Sequence, residues 1–296
     1  MTQLQEQPAE KRRPDNGSVR SAADRRGGTG LLCREHAVDI HSHTVYGVDD
    51  GSGTLEEAAE LLRLDREEGM DVVFSTPHFG IENGYAPDAR LVASRFSQLE
   101  ERAANAAPGV RLYLGTEWYC AENIVDRIQR HEAWPMHATD YYLVEFLEYQ
   151  EMSEPAETMI RRLSAMRKAG YHPILAHPER YRAAQEDWTL IRRLHDDLGV
   201  LMQVNAYDIC LNTKARTRDL AQWMAEERLI AFIGSDMHGL PPKRTPRMRE
   251  GIQWLYDHTD PAYADGVVRR NAEKYLGVEP LYAARSLNDF MSSLGK

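Results

Sequence analysis

The feature that most limits how this chain can fold is a pattern that recurs seven times from Ala37 onward. A short apolar, β-branched run ends in one or two polar residues and is followed by a loop and an amphipathic helix. The runs lie at 37–43, 71–78, 111–119, 141–147, 172–179, 201–208 and 230–238. Each carries few polar residues before its last positions, as expected of parallel strands covered on both faces. Helical patterns stand between them at 54–68, 155–169 and 213–227. The first opens with Thr54 and Glu57, a capping box, and Gly69, Gly170 and Gly199 occupy C-cap positions. Neither a G-x-G-x-x-G turn nor a G-x-x-x-x-G-K-[ST] loop occurs, which disfavours an open nucleotide-binding sheet. The alternation predicts an α/β protein, a seven-stranded (β/α) barrel.

The ends of these runs carry the chemistry. Six of the seven finish in a potential metal ligand: His41-Ser42-His43, His78, Glu117, Glu145, His177 and Asp236-Met237-His238. In a (β/α) barrel the C-terminal strand ends form one mouth, so residues distant in sequence converge there. A strand repeats every two residues, which puts both imidazoles of His41-x-His43 on one side, and Asp236-x-His238 repeats that arrangement. Five imidazoles and several carboxylates exceed the needs of one ion, so two or three divalent ions bridged by carboxylate are expected. Nitrogen and oxygen donors without thiolate suit manganese, iron or zinc. Such ions make hydroxide available near neutral pH and neutralise phosphoryl oxygens. Arg180, three residues after His177, and Arg244 are candidate phosphate contacts, because a guanidinium fork matches phosphate oxygens. Lys243 is a weaker one.

Composition narrows the alternatives. The 296 residues include 36 Lys and Arg against 46 Asp and Glu, a formal charge of −10, which disfavours nucleic acid as a main partner. No run approaches the roughly 18 apolar residues of a membrane span, so no membrane insertion is expected. Three separated cysteines, Cys33, Cys120 and Cys210, give no disulfide framework and fit a reducing cytoplasm. Residues 1–36 mix charge, Pro, Gly and Ser and read as a disordered N-terminal extension, leaving 37–296 as one domain. His36, His131, His137, His172, His195 and His258 have no convergent partner and are expected to be structural or superficial.

The motifs together resemble a known family. Asp39-Ile40-His41-Ser42-His43 with Val48-Asp49-Asp50-Gly51, Ser75-Thr76-Pro77-His78, Gly115-Thr116-Glu117, Val144-Glu145-Phe146, Ala176-His177-Pro178-Glu179-Arg180-Tyr181, Gln203-Val204-Asn205 and Ser235-Asp236-Met237-His238 are similar to the polymerase-and-histidinol-phosphatase (PHP) superfamily. More narrowly they resemble its bacterial manganese-dependent protein-tyrosine phosphatases of capsule and exopolysaccharide clusters. The resemblance implies a distorted seven-stranded barrel, a three-metal site most consistent with Mn2+, and hydrolysis of phosphotyrosine. It also implies a partner, the tyrosine-rich tail of a bacterial tyrosine kinase that serves as a polysaccharide co-polymerase. It adds Asp50 to the ligand set. One departure is Phe79-Gly80-Ile81-Glu82, where such proteins often carry basic residues. Oligomeric state is left open.

Among aromatics near the mouth, Tyr46, Phe79, Tyr85, Tyr149 and Tyr181, the preferred pair for stacking on a phosphotyrosine ring is Tyr46 and Phe79. His238 or Asp236 could assist proton transfer or serve as a ligand. Rival readings are a small-molecule phosphoesterase such as histidinol phosphatase, a metal-dependent amidohydrolase, and a non-enzymatic regulator. Cys210-x5-Arg216 fits the spacing of thiolate phosphatases but lacks the glycine that a phosphate-cradling loop needs.

Overall fold

Two of the seven expected strands are interrupted just before their ligand, and this interruption shapes the molecule. The run at 71–78 divides into β2 (Met70–Ser75) and β3 (His78–Phe79), and the run at 111–119 into β4 (Arg111–Leu114) and β5 (Glu117–Tyr119). Thr76-Pro77 separates the first pair, where proline has no N–H to continue a ladder. The other strands, after β1 (Ala37–Ser42), are β6 (Tyr141–Glu145), β7 (His172–Ala176), β8 (Leu201–Asn205) and β9 (Phe232–Gly234). This computed structural model describes residues 37–80, 84–147, 153–210 and 214–279. The expectations for residues 1–36, Cys33, His36, Ile81, Glu82 and Tyr149 lie outside them.

Among the described residues all strand pairings are parallel, in a three-stranded sheet ordered β1-β2-β4 and a six-stranded sheet ordered β3-β5-β6-β7-β8-β9. The sheets meet at their ends. The Thr76 amide donates to the Ser42 carbonyl at 2.7 Å and that of Glu117 to Pro77 at 3.1 Å. On the other side the Asp236 amide donates to His41 at 2.8 Å and the His43 amide to Met237 at 2.9 Å, with one parallel bridge between Ser42 and Met237. The result is a distorted seven-stranded (β/α) barrel.

Alternation along the strands fills two hydrophobic clusters. Val38, Ile40, Val72, Phe74, Leu143, Ile174 and Phe232 pack in one with Leu276 and Val278. Ala37, Val73, Val144, Leu175 and Ile233 pack in the other against helix residues such as Leu61, Leu62 and Leu163. Both faces are thus covered, each buried Leu, Ile or Val contributing about 1.5–3 kcal/mol. The helix Leu55–Glu68 begins as expected, with the Glu57 amide donating to the Thr54 hydroxyl at 3.1 Å. Gly69, Gly170 and Gly199 all have positive φ, as helix ends require. The run at 201–208 is shorter than expected, because Ala206–Cys210 turns into a helix. Among the described residues no helix is long and apolar enough to cross a membrane.

Candidate metal centre

All nine expected ligands converge. They form four overlapping groups whose donor atoms lie within 4.8 Å of one another: His43, Asp50, His78 and His238; His41, Glu117 and His177; His41, His43 and Asp236; and His78, Glu117 and Glu145. Glu117 is the hub, although sequence placed it only as one ligand among several. Its Oε1 lies 2.9 Å from His177 Nε2, and its Oε2 lies 3.1 Å from His41 Nε2, 3.3 Å from His43 Nε2 and 3.1 Å from His78 Nδ1. Asp236 Oδ1 lies 3.4 Å from His43 Nε2 and 3.4 Å from His238 Nδ1, and Glu145 Oε1 lies 3.0 Å from His78 Nδ1. Asp50 stands at the rim, its Oδ1 3.7 Å from the Nε2 atoms of both His78 and His238 and its side chain 51% exposed.

Partners behind the ligands fix which nitrogen is available. The Gln203 Oε1 only accepts, so His41 donates from Nδ1 at 2.9 Å and turns Nε2 into the cluster. His43 Nδ1 is paired in the same way with Asp49 Oδ2 at 2.8 Å, and His238 Nδ1 with the Asp236 carbonyl at 2.8 Å. Asp49 also accepts from the His78 amide at 3.0 Å, so the carboxylate beside Asp50 orients two ligands. Gln203 Nε2 donates to Asn205, whose amide nitrogen donates to Asp236 Oδ2, both at 2.9 Å. The β8 period of two places Gln203 and Asn205 on one face, a signal available in the sequence although Asp49, Gln203 and Asn205 were assigned no role there.

The backbone is bent to serve this geometry. His177 has φ 34° and Asp236 has φ 51°, a left-handed conformation that costs a non-glycine residue of order 1–3 kcal/mol. Gly234 leaves room beneath, since a Cβ there would stand 2.7 Å from the Cβ of His41.

The residues fit divalent ions. His78 Nδ1 and Glu117 Oε2 are buried without any hydrogen-bond partner among the described residues, a state that ligation resolves. Charge is arranged to match. Burial opposes ionisation of Glu117, yet the charges of His41 and His78 and hydrogen bonds outweigh it and hold the carboxyl well below its ordinary value. Burial likewise opposes ionisation of Asp236, where the charge of Arg244 is the first opposing influence and the carboxyl again ends well below. Burial and the charge of His43 push His238 down to about 3, so its imidazole is neutral.

The candidate substrate residues divide. Arg180 donates from Nε to Asp208 at 2.7 Å and from Nη1 to Asp236 Oδ2 at 3.1 Å. Arg244 pairs with the same Asp236 oxygen and donates to the Asp236 carbonyl at 2.7 Å. Lys243 Nζ instead donates to the carbonyls of Asp50 and Gly51, both at 2.7 Å. The Tyr46 hydroxyl donates to Gln98 at 2.5 Å, and the Arg95 guanidinium lies 5.1 Å from its ring centroid. Phe79 corrects the expectation of a stacking residue: on β3 it points opposite to His78, is buried, and packs edge-on to Trp118 under Arg127. Tyr181 is buried too, its hydroxyl accepting from the Phe146 amide at 3.0 Å. Tyr181 also lies 5.7 Å from the ring of His177, and Tyr85 stacks on His78 at 5.3 Å and 12°. Cys210 lacks the low pKa of a nucleophilic thiol; burial pushes it up to about 11.

The family model for capsular polysaccharide synthesis proteins CpsB/CapC matches residues 37–277. A CapC protein of Staphylococcus aureus is 30% identical over 203 residues, covering 69% of this chain and 77% of its own. The tyrosine-protein phosphatase CpsB of Streptococcus agalactiae serotype V is 27% identical over 244 residues, 81% of this chain and 98% of its own. The crystal structures of YwqE from Bacillus subtilis and CpsB from Streptococcus pneumoniae, described as metal-dependent tyrosine phosphatases, include a chain with a TM-score of 0.73 at 22% identity. That match covers 83% of this chain and 96% of the other and shows a shared fold. By the match of the family model over most of its length, this chain belongs to the CpsB/CapC family of capsular polysaccharide synthesis.

Proposed function

We propose that this chain is a metal-dependent protein-tyrosine phosphatase that hydrolyses phosphotyrosine on proteins. The observation that carries the reading is the nine-ligand cluster built around Glu117, with two arginines on its Asp236 flank. Relatives spanning most of this chain and bearing the name tyrosine-protein phosphatase support it. Divalent ions held by these residues, manganese by preference, supply hydroxide near neutral pH and neutralise phosphoryl charge.

The protein's own groups do the rest. Arg180 and Arg244 hold Asp236 in its strained conformation and set positive charge beside the place where phosphoryl oxygens bind. Asp236 and His238 both serve as ligands, since each contributes a donor atom to the clustered groups. Tyr85, stacked on His78, contributes an aromatic wall beside the place where the phenyl ring binds. Residues 37–296 form the phosphatase domain, and residues 1–36 are an extension of it. The substrate is the tyrosine-rich tail of a bacterial tyrosine kinase, met in the cytoplasm, where the free Cys120 and Cys210 are at home.

The test compares phosphotyrosyl peptide with histidinol phosphate before and after chelation, with manganese, iron or zinc added back. Peptide hydrolysis is expected to vanish on chelation and return best with manganese. Indifference to the chelator overturns the metal mechanism, and preference for histidinol phosphate overturns the protein substrate.

A further inference from the structure

Beside the metal centre runs a groove of about 1040 Å³ whose lining is strongly basic in a chain of formal charge −10. Its inner end is formed by Arg180 and Arg244, the two residues that grip Asp236, so the groove is continuous with the site. Farther out stand Arg182, Lys214, Arg216 and Arg247. The acids of the lining are already engaged, Asp208 by Arg180 and Glu186 by Arg182 at 2.7 Å each. The side chains of Lys214, Arg216 and Arg247 are exposed, with no ion pair or hydrogen bond to any described residue.

Three like charges gathered without counter-charge repel one another, and an acidic protein has no compositional reason to gather them. Such a cluster raises the local concentration of anions and steers their approach. The helix Ala215–Glu226 adds to this field, since its N-terminus opens at Lys214 with no side-chain cap. A peptide whose phosphotyrosine enters the metal centre must leave along one side of the mouth, and on this side it meets fixed positive charge.

We propose that this groove docks acidic residues flanking the phosphotyrosine, so that the enzyme prefers acidic phosphopeptides. The proposal rests on the phosphatase reading and narrows its substrate class. Its test uses the charge-reversal variant Lys214→Glu/Arg216→Glu/Arg247→Glu and the milder triple change to Ala. Substrates are a small aryl phosphate and two phosphotyrosyl peptides, one with acidic and one with neutral flanks.

KM for the acidic peptide should rise about tenfold or more in the reversal variant and by an intermediate amount in the alanine variant. Its salt dependence should flatten, while turnover of the aryl phosphate and the neutral peptide stays unchanged and shows that the fold is intact. Equal responses to the two peptides overturn the proposal, as does an oligonucleotide that competes better than an unphosphorylated acidic peptide. Fluorescence anisotropy of that unphosphorylated peptide separates the two readings. Charge-dependent binding without phosphotyrosine hydrolysis retains the groove and removes the phosphatase; hydrolysis without charge-dependent binding does the reverse.

Discussion

The two ends of the ligand cluster are built differently. At the deep end, His41, Glu117 and His177 are nearly or fully buried; Glu117 rises from β5 between β3 and β6, and His41 from β1, paired with β2 and bridged on its other side to the Asp236–Met237 segment. At the outer end, Asp50 sits in a loop with half its side chain exposed, and His78 and His238 are 12% and 15% exposed. The deep ligands pair closely, at 2.9 Å and 3.1 Å, while both outer contacts of Asp50 are 3.7 Å. Strand ends preorganise and loops adapt. On the proposed function, the deep end is expected to hold an ion more tightly than the outer end.

The largest effect should come from the hub. Glu117→Gln removes the charge shared by four imidazoles, and metal content and kcat should both fall, kcat by about 10³-fold, as several kcal/mol of charge stabilisation are lost. Elemental analysis showing full occupancy would break the assignment of Glu117 to the deep end. Asp50→Ala should act on one end only, weakening the looser class of bound metal by about 10–100-fold while the tight class remains. Calorimetric titration checks this, and simultaneous loss of both classes would erase the distinction drawn here.

Gly234→Ala probes the rigidity of the deep end. Its Cβ would crowd His41, so a destabilisation of about 1–3 kcal/mol is expected. An unchanged midpoint in denaturant would mean that β1 yields.

The smallest effect concerns Asp65, fully buried on the helix Leu55–Glu68 and facing Asp39. Burial, then the charge of Asp39, hold its carboxyl well above the ordinary value. A carboxyl raised in this way contributes stability that is fully present below its unfolded pKa and lost as pH rises through its folded value. Asp65→Asn should remove that loss, gaining about 1 kcal/mol over wild type at pH 8 but not at pH 4. Parallel thermal midpoints across that range would show that Asp65 keeps no extra proton.

Eight of the nine clustered residues were legible because they stand at or near the ends of apolar runs, where a barrel brings side chains together; Asp50, in a loop, came only from the family resemblance. His78 and Glu117 could be read without knowing that their strands were broken. The breaks themselves, at Thr76-Pro77 and Gly115-Thr116, were written in residues that end ladders, but they needed the competing sheet to be recognised. Phe79 obeys the same alternation that places His41 beside His43: next to His78 on β3, it faces the core instead of the mouth. Asp49 stood in plain view next to Asp50, yet only the fold shows that it reaches back to His43 and forward to the His78 amide. Tyr85 could be read only as one of several aromatics near the mouth; its stacking on His78 is a contact that no spacing encodes.

The split sheet gives the metal centre a mechanical role. His41 belongs to β1 of the three-stranded sheet and His43 follows it directly, while the other strand-borne ligands, from His78 to His238, lie on or just beyond the six-stranded sheet. An ion shared across that boundary rivets two sheets whose backbones meet through a handful of hydrogen bonds. Ligation of the native state alone at a hundred times its dissociation constant is worth about 2.7 kcal/mol. In this architecture that gain falls on the seam and adds to the hydrophobic clusters that the two sheets share.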